Sequence, residues 1–434
     1  MEKMMQYAWQ WRLYGSADHR LTDGRTLRIL HPGQLNNASG PDFFNAKVLI
    51  DGVEWAGNVE LHIKASDWYR HGHQFDRAYD SVALHVVSVN DGYVRRPDGS
   101  LIPQLVLPFT EQMSERYSML ASPAAPLRCR AYIAAVPRLF VHDAVDAAAM
   151  ERLLAKTDRL EEMLSLTGGD WLHTLQITIA RALGFGLNGD PMERLARMLP
   201  PTLTGRHSNS EFQLEALLLG AAGLLEAAGR EDDYFRSLAA EWSFLQHKYG
   251  LTPLPAHIWK FSGTRPAASP LRRIVCLSRL IKEGNTLMHR LLEAAGAPAP
   301  LREIFKVILR GYWASHLTFG SPSSRDYSKA IGTAQLDILL INAVAPLYYA
   351  YGERTGRPAL QENARSLLET LPPESNRVMR LWRDAIDYCP ENAWESQGLL
   401  HLTRTYCEPG NCLRCRIALQ ALRQPHPRKS TEAV

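Results

Sequence analysis

The apolar residues of this chain change their period near residue 110, and that switch limits the fold more than any other feature. Upstream, short apolar runs over 46–50, 58–63, 81–87 and 104–107 suit strands, and Asp51-Gly52, Asp91-Gly92 and Asp98-Gly99 punctuate them as turns. Asp23-Gly24 predicts a leading hairpin within 13–30, and 66–79 reads as a polar, histidine-rich connection with some helix. Downstream, Ala- and Leu-rich stretches take over at helical spacing, among them 144–166, 171–182, 211–228, 232–249, 271–295, 301–315 and 334–352. The expected fold class is α+β, a mixed sheet followed by a large all-helical domain.

The 434 residues are enough for two or three cores, and 46% hydrophobic against 22% charged residues is ordinary globular usage. The expected organisation is a sheet-bearing domain over 1–122, a helical domain over 123–424 and a flexible tail over 425–434, with Pro123 and Pro126 marking the linker. A net charge of +4 is too small at this length to attract nucleic acid by itself, so any basic face must be local. No apolar run has the length of a signal peptide core or a membrane span, which predicts a soluble, cytoplasmic chain with no membrane partner.

The chemistry concentrates in Gly40-Pro41-Asp42-Phe43 and in the run from Gly57 to Trp68. Alternation on a strand places Glu60, His62 and Lys64 on one face and Val59, Leu61 and Ile63 on the other. Three polar groups on one face cost free energy unless they are paired or open on a cleft. A hairpin-like return would bring the carboxylate of Asp42 beside Glu60. Two converging carboxylates make an oxygen site for Mg²⁺ or Mn²⁺, with Lys64 or His62 placed to position or deprotonate water. Just beyond, Asp67, His71, His73 and Asp76 crowd four metal-ligand or acid/base side chains into ten residues, and His71 or His73 is the candidate proton donor. Asp67 also suits a helix N-cap before Trp68.

Pro41-Asp42 followed by Glu60-x-His62 or Glu60-x-x-x-Lys64 resembles the PD-(D/E)xK nuclease superfamily. The resemblance implies Asp42 and Glu60 as metal ligands in a nuclease-like domain, with DNA as the expected substrate. This chain departs from the pattern at the lysine, where His62 stands and Lys64 follows one step later. The histidine-rich style is similar to very-short-patch mismatch endonucleases. Over nearly its whole length the chain also resembles the bacterial DUF2851 proteins. The matching pieces are Gly40 to Phe43, Gly57 to His62, Ser66 to His73, Leu183 to Asn188, Trp313 to Gly320, Ser396-Gln397, Tyr406-Cys407 and Cys412 to Cys415. The leading expectation is thus a metal-dependent nuclease whose helical domain shapes the substrate groove or binds a protein partner. The alternative is a catalytically silent nuclease-like fold used for interaction or nucleic-acid binding.

Cys407-x₄-Cys412-x₂-Cys415 supplies three soft ligands, one fewer than a Zn²⁺ site or an iron–sulfur cluster needs. Cys389, His401 and His426 are the candidates for the fourth. Trp313 to Gly320, with Arg325 and Lys329 beyond, mixes aromatic and polar residues as a nucleic-acid groove does, and as a packed helix end also does. The sequence contains no Walker loop, no Gly-x-Gly-x-x-Gly after a strand, no nucleophile elbow and no zincin helix.

Overall fold

A computed structural model describes residues 2–14, 18–36, 38–96, 98–107, 111–122, 127–226, 232–262, 269–323 and 331–423. Pro123, Pro126, Arg325, Lys329, His426 and the tail 425–434 lie outside them. The chain divides into two compact units, Met1–Ala144 with Leu381–Tyr388 and Leu402–Val434, and Val145–Arg380 with Cys389–His401. No helix among the described residues is long and apolar enough to cross a membrane.

The first unit carries the mixed sheet. Helix α1 (Glu2–Gln10) precedes β1 (His19–Arg20), β2 (Thr26–His31), β3 (Gln34–Leu35), β4 (Phe43–Ile50) and β5 (Val53–Lys64). Helix α2 (Asp67–Arg70) then leads to β6 (Val82–Val89) and β7 (Gln104–Val106). The strand order is β1-β2-β4-β5-β6-β7, with β3 paired to β4. Pairing is antiparallel as far as β5 and parallel from β5 to β6 and from β6 to β7. The β4–β5 hairpin turns at Asp51 and Gly52, with φ of 46° and 83°. Two successive positive φ values are what a type I′ turn demands, and Asp-Gly is among its preferred pairs. A parallel step cannot use such a turn and needs a crossover. Here the crossover is residues 65–81, the histidine-rich connection.

Alternation along β5 sorts its side chains as the sequence predicts. Val59 and Leu61 join Met5 and Trp9 of α1, Phe43, Val48, Leu84 and Val86 in one core. On the other face Val87 packs with Trp68 and Tyr79 of the crossover. Glu60, His62 and His85 are buried, and their alternation with Val59, Leu61, Leu84 and Val86 puts them on that second face, beneath the crossover. Gly57 lets β5 approach the start of β6, since a Cβ there would lie 2.7 Å from Ala83 Cβ and 2.8 Å from the Ser81 carbonyl oxygen. Gly57→Ala should therefore cost about 1–3 kcal/mol, read as a lower urea midpoint with an unchanged slope.

After the sheet in the chain come helices α3 (Glu111–Ala121) and α4 (Arg130–Ile133). Both pack against the helix Arg416–Arg423 from the far end of the chain. The buried Arg116 Nη1 reaches the carbonyl oxygens of Ala421 and Leu422 at 3.5 and 3.4 Å. The C-terminal segment belongs to the sheet-bearing unit for this reason, a long-range pairing that texture along the chain does not reveal.

The second unit is helical around one large core. It also holds a short antiparallel pair, His316–Thr318 with Ser321–Pro322, so it is not wholly helical. The stretch expected as one helix over 271–295 is two, Pro270–Ile281 and Asn285–Glu293, broken at Gly284 with φ 55°. Trp313 and its neighbours have internal partners. Trp313 Nε1 donates to Glu215 at 2.7 Å, Tyr312 Oη donates to Asp232 at 2.5 Å, and Tyr312 stacks on Tyr234 and His316. The aromatic and polar mixture there is a packed helix end.

Candidate metal centre

Asp42 stands one residue before β4, and a bulge between Phe43 and Ala46 follows it. Phe43 pairs with Val59, which brings Asp42 alongside Glu60. Each carboxylate accepts a backbone N–H from the other's side of the pair. The Asp42 N–H donates to Glu60 Oε2 at 2.9 Å, and the Leu61 N–H donates to Asp42 Oδ2 at 3.0 Å. Gln6 of α1 donates to Asp42 Oδ1 at 2.7 Å. Burial, and then the neighbouring Glu60, push the Asp42 carboxyl up to about 7. A carboxyl so raised exchanges its proton near neutral pH, or gives it up when a cation arrives.

The second oxygen of Glu60, Oε1, faces imidazoles. It lies 3.3 Å from His73 Nε2 and 3.5 Å from His62 Nε2. His62 Nε2 is also 3.1 Å from His71 Nδ1, and the ligand atoms of His62, His71 and His73 all fall within 4.8 Å of one another. His73 Nε2 is buried without a hydrogen-bond partner, its ring stacked on Tyr79 at a centroid distance of 3.8 Å.

A relay behind His62 fixes which of its nitrogens is bare. Gln104 Nε2 donates to Asn90 Oδ1 at 3.0 Å and to the Gly92 carbonyl at 3.1 Å, which leaves Gln104 Oε1 as an acceptor for His85 Nδ1 at 3.0 Å. His85 Nε2 then carries a lone pair and accepts from His62 Nδ1 at 2.9 Å. A neutral His62 therefore presents its own lone pair at Nε2, toward Glu60 Oε1 and His71. Burial, and then the surrounding imidazoles, push His62 down to about 2, and burial first pushes His85 down to about 4. Both rings are neutral at physiological pH, as metal-binding imidazoles must be.

A carboxylate oxygen, the His62 lone pair and a buried His73 nitrogen without a hydrogen-bond partner thus converge. Such an arrangement is stabilised by a cation. Asp42, Glu60, His62, His71 and His73 all come together here. Lys64 does not join them; it is exposed at the end of β5, where Asp91 feels its charge, and its backbone N–H donates to Asp67 at 3.0 Å. Asp67 is buried by that bond and by an ion pair with Arg70 at 3.0 Å, and Asp76 accepts from the Ala78 N–H at 2.9 Å. Asp67 thus holds the end of β5, and Asp76 holds the crossover's own backbone.

A family model described as "Protein of unknown function (DUF2851)" matches residues 2–377, well over half of the chain. The chain belongs to the DUF2851 family. No curated protein and no solved structure matches it. The match takes in the whole sheet and therefore every member of this centre.

Residues that sequence spacing did not assign to the centre of this DUF2851 chain are Gln6, His85 and Gln104. Each acts through another side chain, and all three come from elements joined to β4 or β5 only by tertiary pairing. The register Glu60↔His85 and His85↔Gln104 builds the relay. Gln104→Leu removes the acceptor that orients His85, so metal affinity should fall by about 10–100-fold. Calorimetric titration with Mn²⁺ measures it, with circular dichroism expected to stay unchanged.

Proposed function

We propose that this DUF2851 chain is a metal-dependent phosphodiester hydrolase acting on nucleic acid, with DNA as the expected substrate. The observation that carries the reading is the convergence of Glu60 Oε1 with His62 Nε2 and His73 Nε2, beside His71 and the raised carboxyl of Asp42. Glu60, His62, His71 and His73 would hold the ion, with Asp42 at its side. Carboxylates alone would suit Mg²⁺, whereas imidazole nitrogens favour a transition metal, and Mn²⁺ accepts both. When bound, such an ion supplies Lewis acidity and lowers the pKa of water.

The protein's own groups have separate tasks. Gln104 and His85 hold His62 in one tautomer. Asp42, poised near neutrality, holds or releases a proton at its carboxylate. Tyr79, whose hydroxyl is kept protonated by burial and by the charges of Glu60 and Asp42, supports the His73 ring. The mixed sheet, with an acid before one strand and a second acid on its antiparallel neighbour, is consistent with the PD-(D/E)xK resemblance, with imidazoles in place of the lysine.

The surroundings of the crossover favour a polymer over a small phosphate ester. Phe75, two residues after His73, is 87% exposed, and Tyr69 is also exposed. Exposed rings beside a cation site offer stacking platforms for bases. Lys64, Arg70 and Arg77 on the same stretch are exposed and offer cations to phosphate oxygens, although Asp67, Asp76 and Asp80 balance their charge. The deciding experiment strips the chain with EDTA and returns Mg²⁺, Mn²⁺ or Zn²⁺ singly, on single- and double-stranded DNA and RNA. Cleavage restored most strongly by Mn²⁺ is expected. Tight metal binding without cleavage of any of them would mean the silent, nucleic-acid-binding fold instead.

A further inference from the structure

The fold brings a fourth cysteine to the three at the C-terminal end. Cys129, Cys407, Cys412 and Cys415 are all buried and none is in a disulfide, whereas Cys389 is exposed. Cys129 immediately precedes α4, and Cys415 immediately precedes the helix Arg416–Arg423 that packs on α4. The turn between Cys412 and Cys415 closes through a Cys415 N–H to Cys412 carbonyl bond of 2.9 Å, and α3 packs against it. Arg128 ties the two stretches together. Its Nη1 lies 3.9 Å from Cys412 Sγ, and its guanidinium fills the space a Cβ on Gly410 would need. The thiols act on one another electrostatically: Cys407 is raised by burial and then by Cys415, Cys129 and Cys412, and Cys129 is pushed up to about 12 by burial, Cys415 and Cys412.

Two donors around these sulfurs lack acceptors. Tyr7 Oη of α1, which feels Cys415 and Cys412, is buried with no hydrogen-bond partner, and so is Arg128 Nε. Orphaned buried donors beside four soft ligands point to something that accepts hydrogen bonds and carries negative charge. A single zinc ion would be held by the four thiolates alone, whose own sulfurs would be the acceptors for these donors. A cubane cluster separates its thiolates further, because iron and sulfide stand between them, and its sulfides accept hydrogen bonds.

We propose that Cys129, Cys407, Cys412 and Cys415 bind a [4Fe–4S] cluster that staples the C-terminal segment onto the sheet-bearing unit. The ligands deprotonate on binding, and Arg128 offsets the cluster's charge. Tyr7 and Gln6 are adjacent on α1, so the staple and Asp42 share one helix. The full chain, purified without oxygen or reconstituted with ferrous iron and sulfide, should hold about four iron and four sulfide per chain and show iron–sulfide charge-transfer absorption. Cys129→Ser should lose most of the iron, Cys389→Ser should keep it, and Glu60→Gln should keep it too, which separates this site from the histidine centre. One zinc per chain in place of iron, no iron above background in the wild-type chain, or full iron in Cys129→Ser would overturn the assignment.

Discussion

Glu60→Gln is expected to lower metal-dependent cleavage by more than about 100-fold, the equivalent of roughly 3 kcal/mol in the barrier, while the chain stays folded. Glutamine keeps the length of the side chain and can still accept the Asp42 N–H with its amide oxygen. It removes the negative charge between His62 and His73, the feature that makes the cluster attract a cation. The same change relieves Asp42 of a like charge, so the Asp42 carboxyl should move down from about 7. Two readouts follow with opposite signs. In EDTA, the variant should melt no lower than the wild-type chain above neutral pH, because a buried repulsion is gone. With Mn²⁺ added, the wild-type melting temperature should rise by mass action and that of the variant should not. Asp42→Ala and Glu60→Ala should abolish cleavage as well. Wild-type cleavage by these variants would refute the centre, and a metal-induced rise in both Glu60 proteins would place the ion elsewhere.

Much of the centre was legible because strand alternation is strict. Val59 and Leu61 against Glu60 and His62 can be sorted by counting, and Asp51-Gly52 announces the hairpin that returns Asp42 to Glu60. Counting also put Lys64 on the face of His62, but β5 ends there, so facing the same way did not mean reaching the same place. The supporting residues were hidden for a different reason. Gln6 meets Asp42 across 36 positions, and the parallel registers that align Glu60, His85 and Gln104 depend on how a crossover packs. Cys129 was invisible as a partner of Cys407 because no local spacing rule spans such a distance. The switch in period near residue 110 marked where sheet gives way to helix, yet the unit does not end there. Helices α3 and α4 complete it with chain from the far end.

Acid should destabilise this face, and Asp42 should hide part of the loss. In the metal-free chain His62 titrates at about 2 and His85 at about 4, both below the ordinary 6.5. The unfolded chain takes up two protons below pH 6.5 that the folded chain refuses. The stability these rings contribute is therefore present above pH 6.5 and lost as pH falls toward 4, about 4 kcal/mol for the pair between pH 7 and pH 5. Asp42 has the opposite sign. Its folded value of about 7 exceeds the ordinary 3.8, so the folded chain binds its proton first, which returns about 2 kcal/mol over the same interval. These three groups together should cost the wild-type chain about 2 kcal/mol between pH 7 and pH 5, whereas in Asp42→Asn the two rings should cost about 4, a large share of the roughly 5–15 kcal/mol that holds a domain together. Urea unfolding of both EDTA-treated proteins at pH 7, 6 and 5 measures the difference. Equal losses would remove Asp42 as the counterweight, and a flat profile in Asp42→Asn would mean that the two histidines are not buried as neutral rings. Mn²⁺ should steepen the wild-type curve, since protons and metal then compete for the same lone pair on His62.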